Sequence, residues 1–300
     1  AALEPDGTGD VILGADITDI TTQLTVERST AINLNGYKLT VTLDEETGQK
    51  ANGIKLASGV TLTIRDSSST SNGELTVTNN VSMVMNNDVS DGNMAAINTS
   101  DGKLIVESGN VYAYGGYCGA GIGGGFDAYK RYTAGEIIIL GGNVTAIGGH
   151  SAAGIGTGKF SSGGTVKISG GVVYASNGDS AAAIGSGYGG SNVTVEISGG
   201  KVTAIAGGSH GTGIGGGYQG NGGMVKISGG EVTATGTNYA AGIGCGYQGN
   251  GGTVEISGGI VTATGGIYAA GIGGGRECDG GTVEISGGTV IATNAPSSGG

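Results

Sequence analysis

The stretch VEISGGIVTATGGIYAAGIGGG, residues 254–275, decides the fold. It holds one charged residue, Glu255, and its apolar residues have no helical spacing. With the preceding Thr253 it splits into three short words: TVEIS, IVTAT and AAGIG. Each alternates along the chain, the period-two signature of a strand. Val254 and Ile256 should face one way, with Thr253, Glu255 and Ser257 facing the other. Val261 and Ala263 should likewise oppose Thr262 and Thr264. Glycine pairs between the words mark corners that need unusual backbone angles.

The same words recur outward from this stretch. The Ile of the GIG-type word stands at Ile122, Ile155, Ile184, Ile214, Ile243 and Ile272, in steps of 33, 29, 30, 29 and 29 residues. The Ile of ISGG stands at Ile168, Ile197, Ile227, Ile256 and Ile285, in steps of 29, 30, 29 and 29. Two independent markers share one period, which signals a solenoid or a propeller. A propeller blade needs four strands in about 40–50 residues. Three strands in 29 residues fit one turn of a coil. The expected fold is therefore all-β: a parallel β-helix with three short strands per coil, right-handed because parallel crossovers overwhelmingly are. The six GIG isoleucines should form one buried file, with Ile54 and Ile97 as its early members.

The expected organisation is a tail over residues 1–10, irregular coils over 11–100, regular repeats over 101–293 and a linker over 294–300. The ending NAPSSGG suggests that further domains of the same polypeptide follow. The opening AALEPDGTGD is compatible with a mature end left by signal cleavage.

Composition excludes several classes. Glycine reaches 70 residues, but there are two prolines and no glycine at every third position, so collagen is out. The net charge is −11 with no basic stripe, so no nucleic-acid partner is expected. No apolar run is long enough to span a membrane as a helix, and no membrane insertion is expected. The three cysteines, Cys118, Cys245 and Cys278, leave at least one unpaired within the chain and include no C-x-x-C. Their pairing stays open at this point.

INLNGYKLTVT (32–42), GIKLASGVTLTIRDSSS (53–69) and the serial GGTVEISGG and AAGIGGG words together resemble the Gly-rich, pectate-lyase-like β-helix modules of bacterial secreted and surface proteins. The resemblance covers nearly the whole chain. It implies a cell-surface or secreted context. Some relatives bind pectic polysaccharide without cleaving it. Calcium-dependent sugar binding in the broader group relies on acidic residues, and these repeats carry few Asp, so no metal and no cofactor are expected here.

Candidate chemistry lies in the outward columns. Four residues after each GIG Ile stand Phe126, Lys159, Tyr188, Tyr218, Tyr247 and Arg276, with Phe160 beside Lys159. Tyr188, Tyr218 and Tyr247 should form an aromatic ridge, either a platform for sugar rings or a self-stacked shield, with Lys159 and Arg276 as cations at its ends. The glycines flanking each Ile, such as Gly121 and Gly123 or Gly271 and Gly273, suggest a flat, bare face open to another surface. Lys167, Glu196, Lys226, Glu255 and Glu284 form a charge column that discourages slipped stacking.

The nearest constellation to acid–base chemistry is Arg276, Glu277 and Asp279, which also reads as a decorated turn. Three G-x-G-x-x-G words have no helix after them and read as corners. The expectation is a non-catalytic extracellular or cell-surface rod, an adhesive or carbohydrate-binding module or spacer. Its expected partner is a polysaccharide or a host or neighbouring-cell surface. A β-helical polysaccharide lyase or hydrolase is the alternative, and an ice-binding or purely structural rod the third.

Overall fold

A computed structural model describes residues 9–82, 94–126 and 132–296. Its strands form three parallel sheets running along one rod. The first has ten strands, from Val11–Ile12 to Thr282–Ile285, and the second ten, from Ile17–Ile20 to Thr289–Asn294. The third has nine, from Leu24–Val26 to Ile272–Gly273. Successive coils rise by one inter-strand spacing of about 4.8 Å, so the rod is about 45 Å long. The expected tail and linker fall mostly outside the described residues.

Each regular coil supplies inward side chains at the same five positions. In the coil opened by Thr194–Ile197 they are Val195 and Ile197, then Val202 and Ala204, then Ile214. Isoleucines 54, 97, 122, 155, 184, 214 and 243 are fully buried and stack in register. Ile272, in the last coil, is only partly buried. In the part-coil after it the inward Val283 and Ile285 are 42% and 51% exposed, because among the described residues no further coil covers them. Full burial of a Val or Ile contributes about 1.5–3 kcal/mol, so the core is a sum of small equal terms.

The early coils depart from the repeat. The second sheet shifts register between Ile17 and Ile20. A short helix, Glu45–Gln49, interrupts the second coil, where no helix is expected from apolar spacing. Its cause is local: the Asp44 carboxylate accepts from the Thr47 N–H at 2.6 Å, and Glu45 and Glu46 occupy the first turn. Asp66 ties the same region together from a buried position. Its carboxylate accepts from the N–H groups of Gly36, Ser68 and Gly73 at 2.9, 3.1 and 2.7 Å.

The glycines around the third-sheet Ile do not form an open face. Gly121, Gly123, Gly154, Gly156, Gly242, Gly244, Gly271 and Gly273 are buried. The turns before and after each third-sheet strand close over it. The N–H groups of Lys159, Tyr188, Tyr218 and Arg276 donate to the carbonyls of Cys118, Ser151, Ser180 and Tyr239 at 2.9–3.1 Å. The glycine after the Ile is also required sterically from Gly123 to Gly244. Gly215 has φ +131°, and a Cβ there would lie 2.0 Å from the Gly244 carbonyl oxygen of the next coil.

Cys245 and Cys278 form a disulfide that ties the last third-sheet corner to the coil before it. Cys118 is buried, and burial pushes its thiol up to about 12.

Two outcomes follow from this packing. Gly215→Ala should cost about 3 kcal/mol or more in urea denaturation. Gly213→Ala should cost less, because Ala183 already occupies the equivalent position. Equal losses would contradict the steric account. Reducing Cys245–Cys278 should leave the main thermal transition within about 10 °C, since the coils are stacked independently of it. Hydrogen exchange should rise in residues 272–294 alone, and a larger or global change would show that the bond anchors the fold.

Candidate functional site

The corner between the third and first sheets carries the aromatic ridge. Corner residues Phe160, Gln219, Gln248 and Glu277 have positive φ of 55–58°, which turns the chain sharply after each ridge residue. Tyr188, Tyr218 and Tyr247 then fall one above another, with centroids 5.2 and 5.4 Å apart. Tyr218 and Tyr247 are nearly parallel, at 10°. Phe160 meets Tyr188 edge-on at 5.2 Å. Tyr218 and Tyr247 therefore cover each other's facing surfaces, while Tyr188 is tilted by 59–61° to both its neighbours.

The ridge hydroxyls reach amides and a carboxylate on the next coil. Tyr188 Oη donates to Gln219 Oε1 at 3.0 Å, Tyr218 Oη to Gln248 Oε1 at 3.2 Å, and Tyr247 Oη to Glu277 Oε1 at 3.4 Å. Burial first, then the nearby Glu277 carboxylate, raises the Tyr247 phenol above its ordinary value.

Both ends of the ridge are capped by the cations expected there. Lys159 Nζ lies 5.1 Å from the Phe160 centroid and 5.7 Å from those of Phe126 and Tyr188. The Arg276 guanidinium lies 5.4–5.9 Å from Tyr239, Tyr247 and Tyr268. At this separation cation and ring attract by about 0.5–1 kcal/mol when exposed. Arg276 is thereby engaged with rings and with Glu277, 3.5 Å away, at an exposed turn, and Asp279 is exposed beside them.

A second aromatic file, absent from the sequence reading, lies in the turn before the third sheet. Tyr239 stacks on Tyr268 at 5.4 Å and 9°. His210 joins the two files, stacking on Tyr218, Tyr239 and Tyr247 at 5.0–5.5 Å. Lower on the rod, Tyr117 stacks on His150 at 5.0 Å. Asp179 sits between the histidines, with Oδ2 3.5 Å from His150 Nε2 and 3.6 Å from His210 Nδ1. The 29-residue spacing of His210, Tyr239 and Tyr268 was the available signal.

Burial opposes ionisation of Asp179. The Ser209 N–H, the Ser180 hydroxyl and the two imidazoles outweigh it, so the carboxyl ionises below its ordinary range.

Beyond the ridge the corner carries a polar strip. Asn192, Asn221 and Asn250 line a shallow groove of about 500 Å³ with Thr194, Thr253 and Thr282. Asn250 Nδ2 donates to Asn221 Oδ1 at 3.0 Å. On the first sheet's outer face, the charge column and the serines beside it line another groove of about 490 Å³. The column is in register, and Lys226 pairs with Glu255 at 3.1 Å. Lys167 instead reaches back to Glu136, 3.4 Å away, which also binds Lys103 at 2.7 Å. Among the described residues no group of three or more His, Cys, Asp or Glu is placed to hold a metal ion.

The model of a family described as beta helix repeat matches residues 105–126, 137–159, 166–188, 195–218, 225–247 and 254–276. Each matched segment ends on the ridge column, at Phe126, Lys159, Tyr188, Tyr218, Tyr247 and Arg276. No curated protein and no solved structure matches the chain. The chain folds as a parallel β-helix, and six of its coils carry segments that match this repeat family.

The Asp179 contacts have a measurable consequence. A carboxyl with a lowered folded pKa contributes stability above its unfolded value, near 3.8, and loses it as pH falls through the folded value. Asp179→Asn should therefore lower the melting temperature at pH 7 and narrow its fall between pH 5 and pH 2. An unchanged acid limb would show that the carboxylate contributes nothing.

Proposed function

We propose that this β-helix repeat protein is a non-catalytic rod of the bacterial cell surface or secreted milieu, and that its corner binds an uncharged glycan. The supporting observation is the arrangement of polar and aromatic side chains in files, one member per coil. Tyr218, Gln219 and Asn221 recur as Tyr247, Gln248 and Asn250 at the same corner. A repeated binding element suits a repeating ligand. The coil spacing of about 4.8 Å is close to the length of one pyranose unit, so a chain lying along the rod meets equivalent groups on successive coils.

The ring stacking shapes what such a site offers. Phenol hydroxyls, primary amides and threonines supply donors and acceptors for sugar hydroxyls. The two ridge cations lie against aromatic rings, which favours neutral over acidic sugars. Individually weak contacts add along the rod, so longer oligosaccharides bind more tightly. The Cys245–Cys278 disulfide accords with an oxidising compartment outside the cytosol.

The test is calorimetric titration of neutral and acidic oligosaccharides of increasing length. The double variant Asn221→Ala/Asn250→Ala spares the stacked rings and should bind at least about tenfold more weakly, since each lost hydrogen bond is worth about 0.5–1.5 kcal/mol. Equal binding by wild type and variant would exclude the corner. A folded protein that binds no glycan would leave a structural or protein-adhesive rod.

A further inference from the structure

The outer face of the second sheet differs from every other face of the rod. From Lys38–Leu43 to Thr289–Asn294, nine strands pair in unbroken register. Their two outward files run from Thr40 to Ile291 and from Thr42 to Thr293, and they hold eleven Thr, three Tyr, three Ile and one Ser. None of these eighteen positions is charged. Threonine suits strands in general, but that does not account for the face, because the first sheet puts Lys and Glu at its outward positions.

The three tyrosines stand together at the middle of the rod. Tyr112, Thr145 and Tyr174 are register partners on three successive strands, and Tyr114 flanks Tyr112. Unlike the corner rings, none of the three stacks on another ring or a cation among the described residues. Tyr112 and Tyr174 are two coils apart, about 9.6 Å, with the short Thr145 between them. That is close to twice the ~4.0–4.5 Å contact distance of apolar groups, which leaves room for one saturated six-membered ring over Thr145.

Charge and area select the occupant. The adjoining file pairs Lys38 with Glu74 at 3.4 Å and Lys201 with Glu231 at 2.8 Å, so the face is neutral on a chain of net charge −11. It therefore complements an uncharged partner. A second copy fits poorly, since nine strands by two outward positions offer about 600 Å² per partner against the ~800 Å² of a standard interface. A hydroxyl-bearing, uncharged polymer meets both the threonine hydroxyls and the half-exposed tyrosine rings.

We propose that the outer face of the second sheet binds an uncharged polysaccharide, with Tyr112 and Tyr174 holding one sugar ring between them over Thr145. This site shares its ligand class with the corner but rests on different residues, and the variants separate the two. The experiment is affinity electrophoresis through gels containing hydroxyethyl cellulose, galactomannan or polygalacturonate.

Wild type should be retarded by a neutral polymer and not by polygalacturonate. Tyr112→Ala/Tyr174→Ala, and independently Thr145→Tyr, which fills the notch, should weaken that retardation at least about tenfold while the melting transition persists. Asn221→Ala/Asn250→Ala should leave a retardation that still depends on Tyr112 and Tyr174. Retardation unaffected by both sheet variants, but lost on changing the corner asparagines, would overturn this site and keep the corner. Retardation by polygalacturonate alone would overturn it as well, as would no retardation in any gel. Inhibition of ice recrystallisation without polymer binding would assign the face to a water lattice instead.

Discussion

Each coil of this protein must present its backbone to the next in the same outline, because every strand pairs in parallel with its counterpart one coil away. That constraint is visible at a single column. At Gly123, Gly156, Gly185, Gly215 and Gly244, each following a third-sheet Ile, the carbonyl of the next coil leaves no space for a Cβ. The turn can then fold back tightly, and the Ile before it reaches the core. A Cβ at those five glycines would meet that carbonyl, whereas the early coils carry Lys55 and Asn98 at the same position and still pair in register.

From identical outlines comes the arrangement of everything else. Inward positions converge on Val, Ile, Val, Ala and Ile, since a larger residue in one coil would meet the same residue above and below. Outward positions become files, and a file multiplies whatever chemistry one coil carries. On the first sheet it makes ion pairs, such as Lys226 with Glu255. At the corner it makes a ladder of rings capped by Lys159 and Arg276. On the second sheet it makes a neutral carpet of threonine.

The coil, its length and its buried isoleucines were legible in the sequence, because each is stated several times over by the repeat. The ridge of Tyr188, Tyr218 and Tyr247 was legible for the same reason. Features that occur once were not. The helix at Glu45–Gln49 depends on one capping carboxylate. His210 keeps the repeat position of Tyr239 and Tyr268, four residues before the third-sheet Ile, but differs from them in residue type. The step from Ile184 to Ile214 is 30 residues rather than 29, and the addition lies in the turn that holds His210. The open glycine face was misread because alternation tells which way a residue points but not what lies there. The flanking turns that cover those glycines are held by backbone hydrogen bonds, which leave no mark in side-chain identity.

Because the extra residue in that coil is absorbed by a turn, the strands on either side keep their register. The rod thus tolerates change in two separate currencies. Single residues gained or lost at corners alter the decoration and leave the axis untouched. Whole coils gained or lost alter length in fixed increments and leave the cross-section untouched. Related rods built on these words should differ in reach by whole steps of about 4.8 Å, as the divisions of a ruler do, while the faces along them vary independently.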